Sequence, residues 1–543
     1  MANRKYGVVY TPERLADFTA ELLHREMNEV KAEKILDPAC GECALLKAAK
    51  NIFGLKTDYI GIDIDSEPYE SLKEEYPILL NDSILPHNVK GLVSKYWRKK
   101  IGKITAIIAN PPWSSEKIYD REKLSSAGFT LVSGQYDSFV LFIELAYNIL
   151  EDGGYFAFII PDSLFDAQNE NLRKFLSLKT EIKVIARLGE KIFDEVNRST
   201  SVIICKKCIP NKENITHCFR LNTESRKKYL SSNLPLIKFY DQFHHDVKQS
   251  RFLDNDACNF DIDTHSNEEI LISKIKKDTI KWDQYFMFGR GVEISKSGNI
   301  VYCESCGCAQ GFKKIQKIER KKLCTHCGKE IDITDKTIKK VVSKNKVGNK
   351  VQLFVGENIR RYEISGEFYI ELNVPGINYK NLKMYTPPKL LIRKTGLGIY
   401  ASIDYTGSMT SQTVYILKPK NNVPNIPLEY YLALLNSRVV YYYYLKTYGE
   451  NEWKSHPYLT KQIIFSLPIK KYEGNELDNQ IVSLASELAQ KYTYEKDVQL
   501  EKLIIKKYSI SPDEEKMVYE EMNNLPNLSA INDMKIEVTN YNV

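Results

Sequence analysis

Short apolar runs alternate with amphipathic stretches along the first two hundred or so residues of the chain. The runs are apolar throughout, which is typical of strands that are covered on both faces. The stretches between them carry apolar residues at helical spacing, as at residues 13–30 and 136–150. Strands that alternate with helices predict a doubly wound, Rossmann-like α/β domain, and we expect it to cover residues 1–210.

The regular alternation fades after Pro210. Polar stretches at 211–214 and 265–269 are typical of loops or linkers. Three strand-like runs and one helical run follow, at 353–362, 389–393, 411–415 and 430–444. We therefore expect a mixed α/β domain over residues 211–490 and a helical segment over 491–543.

Composition indicates a soluble protein of several domains, since 543 residues with 43% hydrophobic and 27% charged side chains exceed one ordinary core. No apolar run is long enough to span a bilayer, and no signal-peptide stretch follows Met1. We therefore expect a cytoplasmic protein without a membrane partner.

Positive charge is concentrated in one segment of the chain. The whole chain carries a net charge of +7, whereas residues 311–350 contain thirteen Lys or Arg and four Asp or Glu, which is 13 − 4 = +9. A solvated lysine-rich face is the ordinary interpretation of such a run. The alternative is a surface that contacts the phosphates of duplex DNA, which positions a duplex without reading its sequence.

Eleven cysteines in a cytoplasmic chain indicate metal ligands or packed thiols rather than disulfides. Two C-x-x-C-G motifs, Cys303 to Gly307 and Cys324 to Gly328, are separated at the spacing of a zinc ribbon, which we place at residues 300–330. The four predicted ligands of a structural Zn²⁺ are Cys303, Cys306, Cys324 and Cys327, with Cys308 and His326 as alternatives. The pair Cys205 and Cys208 has no partner pair, so we expect it to be free of metal.

A tight turn of small residues, beginning at Asp37 and including Gly41, follows the first predicted strand. Asp63 ends the second strand 63 − 37 = 26 residues later, a place that suits the two hydroxyls of a ribose. The G-x-G-x-x-G spacing of dinucleotide folds is absent, because Gly41 is the only glycine of this loop. A ribose-binding acid without a pyrophosphate loop indicates a cofactor without phosphates, and S-adenosyl-L-methionine fits that description.

The predicted strand at 104–109 must end at Asn110, because Pro111 and Pro112 have no N–H to donate to a sheet. The Asn110 side-chain oxygen and the Pro111 carbonyl could accept both hydrogens of a nucleobase amine and free its lone pair for attack. Trp113 offers a face for an unstacked base, and such stacking contributes about 1–3 kcal/mol. The alternative is a strand-ending Pro-Pro turn with a core tryptophan, and this tetrapeptide alone does not separate the two.

The order of these motifs resembles one enzyme family. The Thr11-Pro12 motif precedes the Asp37 loop, Asp63, Asp82 and the Asn110 turn, and Phe193 precedes a Ser/Thr-rich apolar strand. This succession is similar to that of gamma-class, TaqI-like DNA adenine-N6 methyltransferases, and the second half resembles the TaqI-like specificity domain. The resemblance covers nearly the whole chain. One departure is Cys43, where the family has a second glycine.

The resemblance implies transfer of a methyl group from S-adenosyl-L-methionine to the N6 amine of an adenine flipped out of duplex DNA. Thr11 and the Asp37 loop would hold the methionine end of the cofactor, Asp63 the ribose and Asp82 the adenine amino group. Trp113 and Phe193 would sandwich the flipped base, although core packing is an equal interpretation of Phe193. The full expected sets are Thr11, Asp37, Ala39, Cys40, Gly41, Asp63, Ile64 and Asp82 for the cofactor, and Asn110, Pro111, Pro112, Trp113 and Phe193 for catalysis.

Three alternatives remain beside adenine-N6 methylation. Protein glutamine-N5 methyltransferases share the Asn-Pro-Pro turn but lack a large C-terminal half with a basic ribbon. Cytosine-N4 methylation is chemically similar, and Asn110 favours adenine. A non-catalytic DNA-binding protein on this fold would be expected to lose Asp63, Asn110 or Trp113, which are all present.

The partners follow from the same resemblance. We expect double-stranded DNA as the substrate, a monomeric protein and a role in a restriction-modification or related defence system. The predicted cofactor domain begins close to Met1, so we expect any cognate restriction endonuclease to be a separate protein.

Overall fold

The computed structural model describes residues 10–536 apart from 29, 73, 88, 114–118, 133–135, 194–197, 313, 422, 424–426, 450–456 and 529–530. The chain forms two compact units. The first comprises Met1–Glu268 and Lys446–Ser455, and the second comprises Glu269–Leu445 and His456–Val543. The unit boundary lies in the predicted loop at 265–269, whereas the domain boundaries at 210 and 490 stay predictions.

Nine strands form one sheet in the described part of the first unit. They are β1 (Lys34–Asp37), β2 (Asp58–Asp63), β3 (Ile78–Leu80), β4 (Ala106–Ala109), β5 (Tyr155–Pro161), β6 (Glu181–Gly189), β7 (Thr200–Lys206), β8 (Ile215–Arg220) and β9 (His245–Lys248). Their order is β3-β2-β1-β4-β5-β7-β6-β8-β9, and β7 runs antiparallel to both β5 and β6. The two last strands lie beyond residue 210.

The direction of strand progression reverses between β1 and β4, which pair in parallel with Leu36 opposite Ile107. In open α/β sheets, ligands bind at such a switch point, outside the carboxyl ends of the strands. The sheet therefore places its binding edge beyond Asp37, Asp63 and Asn110.

Helices cover both faces of this sheet. They are α1 (Glu13–Met27), α2 (Ala44–Phe53), α3 (Ser66–Leu72), α4 (Val93–Ile101), α5 (Arg121–Ala127), α6 (Ser138–Ile149), α7 (Glu170–Lys179), α8 (Thr223–Ser231), α9 (Leu236–Phe243) and α10 (Ser250–Asp254). Ile35 and Ile108 belong to a core with side chains of α1 and α2, whereas Leu36 and Ile107 belong to a core with side chains of α4 and α6. Burial on both faces explains the uniformly apolar strands, and it confirms the predicted doubly wound arrangement.

The second unit contains small, mostly antiparallel sheets. Its strands are β10 (Phe286–Arg290), β11 (Asn299–Tyr302), β12 (Ala309–Gln310), β13 (Lys321–Leu323), β14 (Glu330–Asp332), β15 (Ile338–Lys340), β16 (Val342–Ser343), β17 (Val351–Phe354), β18 (Phe368–Ile370), β19 (Lys389–Arg393), β20 (Ala401–Asp404), β21 (Met409–Thr410) and β22 (Val414–Pro419). Within the described residues, β10, β22, β19 and β20 form one four-stranded sheet, and β16, β18, β17 and β21 form another.

Helices dominate the C-terminal part of the second unit. The helices after residue 268 are α11 (Glu269–Lys276), α12 (Trp282–Tyr285), α13 (Lys314–Glu319), α14 (Leu428–Leu435), α15 (Arg438–Tyr448), α16 (Lys461–Ser466), α17 (Glu476–Gln490), α18 (Tyr494–Lys507) and α19 (Pro512–Asn523). In the described parts of both units, no helix combines the length and apolar character needed to cross a bilayer.

Two predicted elements of the second unit need correction. The helical run at 430–444 is broken into α14 and α15 at Asn436. The Asn436 carboxamide accepts from the backbone N–H of Ala401 at 2.9 Å and donates to its carbonyl at 3.0 Å, which ties this position to a strand. The predicted strand at 411–415 begins only at Val414, since Ser411 forms an isolated bridge with Val292 and residues 412–413 form a turn before β22. Tyr441 to Tyr444 are all buried, which confirms their interpretation as packing residues.

Candidate active site and four-cysteine cluster

A cleft lies at the carboxyl ends of β1, β2, β3 and β4 in the first unit. It brings together every predicted cofactor residue and the Asn-Pro-Pro-Trp turn, although these residues are spread over a hundred positions. The predicted residues that line it are Thr11, Asp37, Ala39, Cys40, Gly41, Asp63, Ile64, Asp82, Asn110, Pro111, Pro112 and Trp113. Phe193 is the predicted site residue that lies behind the wall of the cleft.

Asp37 is the most deeply buried acid of this cleft, with 1% of its surface exposed. Its Oδ1 accepts a hydrogen bond from the Ala39 backbone N–H at 3.0 Å. Burial raises the pKa of Asp37 to about 8, and the nearby charge of Asp63 adds to this effect, while the Ala39 N–H opposes it. A cation in the cleft would favour the ionised form of this carboxyl group.

Asp63 and Asp82 bind the loops that surround them. Asp63 accepts hydrogen bonds from the backbone N–H groups of Gly41 at 2.7 Å and Asp65 at 2.9 Å. Asp82 accepts from the N–H of Ile84 at 2.8 Å and from the Tyr119 hydroxyl at 3.1 Å. Burial raises the pKa of both carboxyl groups in spite of these bonds.

The three carboxyl groups share one electrostatic property. Asp37, Asp63 and Asp82 form no ion pair with any residue in the described part of the chain. A cofactor that carries a positively charged amine and a sulfonium would supply the missing positive charge. The chemistry of this cleft therefore fits S-adenosyl-L-methionine.

Asn110 follows β4 directly, and its amide nitrogen donates a hydrogen bond to the Thr11 hydroxyl at 3.0 Å. This bond joins residues that are 99 positions apart in the chain. Because the nitrogen end of the carboxamide faces Thr11, the position of its oxygen end is fixed as well. Thr11 thus orients the side chain that was predicted to accept a hydrogen of the target amine.

Two side chains hold the backbone of the turn after Asn110. The Ser138 hydroxyl donates to the Pro112 carbonyl, and the Arg198 guanidinium donates to the Trp113 carbonyl. Pro111 and Pro112 have no N–H groups through which the sheet could hold them. The turn is therefore fixed through its carbonyls instead.

Trp113 is 5% exposed, and its ring packs against Phe193 with centroids 5.2 Å apart and planes at 86°. Rings at right angles do not form a slot for a planar base. A sandwich of the base between these two residues would need one ring to turn, and it stays a prediction. In this structure Phe193 is a core residue that packs against Trp113.

The loop after β1 packs closely on β2. A Cβ added to Gly61 would lie 2.6 Å from the Cys40 sulfur, so a side chain at this position would displace the loop. Cys43 adopts the left-handed conformation with φ of 59°, which explains why a glycine suits this place better. The chain tolerates a thiol there, and Cys43 is buried as the residue that precedes α2.

The four predicted zinc ligands lie together in the second unit. Their sulfur atoms all lie within 4.8 Å of one another, with Cys303 and Cys327 at 3.5 Å and Cys306 and Cys324 at 3.7 Å. A tetrahedral site with Zn–S bonds of about 2.3 Å requires S···S distances of about 3.8 Å. The sulfur positions therefore fit a zinc ion, whereas Cys308 is not part of the group.

Both cysteine motifs form the same tight turn. Gly307 and Gly328 have φ of 69° and 76°, and their N–H groups donate to the carbonyls of Cys303 and Cys324. Gln310 joins the two halves, since its amide donates to the Cys324 sulfur at 2.7 Å and accepts from the Thr325 N–H at 3.1 Å. The hydrophobic cluster around this module is small, so its fold depends on what holds the sulfurs together.

Sequence comparisons agree with the order of these elements. The Eco57I restriction-modification methylase family matches residues 26–193, and the TaqI-like C-terminal specificity domain matches residues 351–469. The chain belongs to the restriction-modification methyltransferases. The four-cysteine cluster lies between the two matched ranges and outside both.

Relatives and solved structures give the same fold. The type II methyltransferase M.VspI of Vibrio sp. (strain 343) is 25% identical over 232 residues, which are 41% of this chain and 53% of that protein. The chain thus spans about half the length of this relative. The ATP-dependent Type ISP restriction-modification enzyme LlaBIII bound to DNA and the DrdV-DNA complex each have a TM-score of 0.50. They are 12% and 13% identical and cover 90% and 91% of this chain, and 39% and 58% of their own chains.

Sequence reasoning missed the residues that position the turn. Ser138 begins α6 and Arg198 precedes β7, so both looked like ordinary boundary residues. Tyr119 also lines the cleft and binds Asp82, and nothing in its local sequence marks it. The Thr-Pro motif did identify Thr11, but its bond to Asn110 became visible only in the fold.

Proposed function

We propose that this chain is a site-specific DNA methyltransferase that uses S-adenosyl-L-methionine to methylate the N6 amine of an adenine flipped out of duplex DNA. The observation that carries this proposal is the Asn110 carboxamide, oriented by Thr11 at the edge of a cleft with three carboxyl groups that have no cationic partner among the described residues. We further propose a role in a restriction-modification system, in line with the family of the chain.

The cofactor would lie across the ends of β1, β2 and β3. Asp37 would hold its amine, Asp63 its ribose hydroxyls and Asp82 its adenine amino group, with Ala39, Cys40, Gly41 and Ile64 forming the surrounding wall. When bound, the cofactor supplies an electrophilic methyl group on a sulfonium.

The target base would enter the cleft beside the Asn-Pro-Pro-Trp turn. The Asn110 oxygen and the Pro111 carbonyl accept the two amine hydrogens, which leaves the nitrogen lone pair free to attack. The bound cofactor would supply the methyl group, with a C–N bond formed as the C–S bond breaks and the sulfonium left as a neutral thioether. The Asn110 oxygen and the Pro111 carbonyl would hold the two amine hydrogens, one of which would then pass to solvent as a proton. Pro112 keeps the turn stiff, and Trp113, which packs against Phe193, offers the stacking face.

The four-cysteine cluster would hold a structural Zn²⁺ through Cys303, Cys306, Cys324 and Cys327. The metal would keep the lysine-rich residues 311–350 in one folded module. We propose that this module contacts the phosphates of the duplex, since the segment has thirteen basic and four acidic residues.

Substitution of Asn110 by alanine tests the catalytic role. Asn110→Ala should lower the methylation rate by at least about 100-fold, because a preorganised polar contact in the transition state is removed. Binding of S-adenosyl-L-methionine, measured by calorimetric titration, should stay within about threefold of wild type. A variant with near wild-type turnover would contradict the role of Asn110.

The reaction itself is tested by expressing the chain in a methylation-deficient bacterial host and mapping modified bases by single-molecule sequencing. N6-methyladenine in one short motif is expected. N4-methylcytosine would move the assignment to the other base, and an unmodified genome from folded, zinc-loaded protein would contradict DNA methylation.

The metal site has a matched control in the neighbouring Cys308. Cys324→Ser should lower zinc content to well below one ion per chain and expose residues 311–350 to proteolysis, because a structural zinc site supplies folding free energy. Cys308→Ser should keep both zinc and protection. Equal zinc content in the two variants, measured by atomic emission, would show that the cluster is not the metal site.

A further inference from the structure

One face of the β10-β22-β19-β20 sheet carries cations beside aromatic rings. Arg290 lies opposite Tyr415, which lies opposite Ile392, so these three side chains share a face of the sheet. Lys394 follows two positions after Ile392, which returns its side chain to the same face. We call the residues Phe288, Arg290, Lys394, Tyr458, Lys461 and Phe465 the cationic–aromatic patch.

The rings hold the two lysines in place. The Lys394 ammonium lies 5.7 Å from the ring centre of Tyr415 and 6.0 Å from that of Tyr458. The Lys461 ammonium lies 5.4 Å from the ring centre of Phe288 and 5.1 Å from that of Phe465. Such cation–π contacts restrain long side chains that would otherwise move freely. The patch is therefore organised before any ligand arrives.

Its cations have no anionic partner. Arg290, Lys394 and Lys461 form no ion pair with a residue in the described part of the second unit or elsewhere in the described chain. Burial and the positive charge of Arg290 lower the pKa of Lys394, so the two cations repel each other. Like charges placed together at a surface create a positive potential that attracts anions.

Some other lysines of the same unit form ion pairs. Lys296 binds Glu357, Lys321 binds Glu330, and Lys380 binds Glu293. The two lysines of the patch differ from these three lysines because aromatic rings, and not carboxylates, hold them. The patch also combines its charges with Tyr458, whose side chain is 51% exposed. Restrained cations at an exposed surface suit contact with the phosphates of a nucleic acid, which attract positive charge whatever the base sequence.

We propose that the cationic–aromatic patch binds the phosphate backbone of duplex DNA through Arg290, Lys394 and Lys461. This inference rests on the proposed DNA substrate and adds a defined contact surface to it. Most of the patch lies in the range matched by the TaqI-like specificity domain, whereas Phe288 and Arg290 lie before that range. The contacts would position the duplex and would not read its sequence.

The test is the salt dependence of DNA binding by the full, zinc-loaded chain. The probe is a mixed-sequence duplex of about 30 base pairs, chosen to exceed a typical protein footprint, with affinity measured between 50 and 300 mM salt. Each phosphate contact contributes about 0.9 to the slope of log K against log salt. The variant R290Q/K394Q/K461Q should therefore lower the slope by about 2.7 and the affinity at 0.1 M salt by roughly two orders of magnitude.

A matched control removes the same charge elsewhere in the unit. Lys491, Lys502 and Lys506 are exposed in the C-terminal helical part, and K491Q/K502Q/K506Q should keep a slope close to wild type. Equal losses in both triple variants would show a bulk charge effect and overturn the proposal. So would a wild-type slope in R290Q/K394Q/K461Q.

Methylation separates this inference from the proposed function. R290Q/K394Q/K461Q should raise the DNA concentration needed for half-maximal methylation in step with its loss of DNA affinity, because the patch acts in binding. A wild-type chain that methylates DNA while the patch variant binds normally overturns the patch alone. A wild-type chain that neither binds the duplex nor methylates it overturns both.

Discussion

Two buried carboxyl groups, one in each unit of the chain, have opposite pKa shifts. In the second unit, Asp497 is 1% exposed and binds Arg361 through both oxygens at 2.8 and 2.9 Å, and it also binds Arg438 at 2.9 Å. Burial opposes its ionisation, yet the two guanidinium groups hold the pKa of Asp497 below its ordinary value. In the cleft of the first unit, Asp37 is equally buried but has no cation beside it among the described residues, and its pKa is raised.

This difference distinguishes carboxyl groups that stabilise the fold through ion pairs from carboxyl groups that are suited to bind a cationic ligand. The buried ion pairs of Asp497 join three segments of the second unit. They connect Asp497 of α18 to Arg438 of α15 and to Arg361, which lies between β17 and β18. A buried carboxyl group without a cation destabilises the folded protein, and strongly perturbed groups in clefts mark functional sites. The network of Asp497 therefore stabilises the fold, whereas Asp37 is a residue that we propose for cofactor binding.

The largest effect is expected at Asp497. Asp497→Ala should lower the free energy of unfolding by about 3–5 kcal/mol, because it removes the carboxylate shared by two buried guanidinium groups. The substitution leaves Arg438 with Glu501 and Arg361 with the more distant Asp533. Urea denaturation followed by circular dichroism measures this loss. The exposed Asp513, in the first turn of α19, is the control, and its replacement by alanine should cost less than about 1 kcal/mol. Similar losses in both variants would contradict the structural role of Asp497.

A smaller effect of opposite sign is expected at Asp37. Asp37→Asn should raise the stability of the cofactor-free protein at pH 8 by a few kcal/mol, because the variant buries no ionisable carboxyl group. The same variant should bind S-adenosyl-L-methionine at least about tenfold more weakly, since the amine of the cofactor loses its partner. A variant that is less stable than wild type at pH 8 and binds the cofactor normally would show that Asp37, like Asp497, stabilises the fold.

The pH dependence gives the sign of the Asp37 effect. Its ordinary pKa is 3.8, and burial in the fold raises it to about 8. Below about pH 4 both the folded and unfolded states hold the proton, so the contribution of Asp37 to stability is complete. Between about pH 4 and 8 the unfolded state loses the proton first, and the contribution falls as pH rises. Wild type should therefore lose stability relative to Asp37→Asn across this window, while cofactor affinity rises toward pH 8.

The acids of the cleft could be predicted because each one ends an apolar strand. Asp37, Asp63 and Asp82 follow or end such runs, and Asn110 precedes two prolines that stop a sheet. Parallel strands bring their carboxyl ends to one edge, so local sequence sufficed to bring these side chains into one cleft. The same local logic identified the two cysteine motifs, since their ligand spacing carries the geometry.

Contacts between distant segments could not be predicted in this way. The bond from Asn110 to Thr11 and the donors Ser138 and Arg198 depend on which loops meet above the sheet. The break between α14 and α15 depends on Ala401, a residue of another sheet. The apolar pattern at 430–444 is continuous, so it shows no sign of that partner.

The smallest expected effect tests whether the backbone conformation of the cleft loop lowers the stability of the folded protein. Cys43 has φ of 59°, and this conformation disfavours a side chain by about 1–2 kcal/mol relative to glycine. Cys43→Gly relieves this strain, but it also increases the entropy of the unfolded chain and removes a buried thiol, so the net gain should be below about 1 kcal/mol. Thermal unfolding measures this change.

Cys43→Ala separates the two contributions to that gain. Alanine removes the thiol but keeps the strained backbone, so Cys43→Ala should be less stable than Cys43→Gly, even though alanine is ordinarily the more stabilising residue near a helix. The reverse order would mean that the left-handed conformation of Cys43 costs little. Backbone strain in this loop would then not destabilise the folded protein. The destabilisation of the cleft relative to the ion-paired core of the second unit would come from its buried carboxyl groups alone.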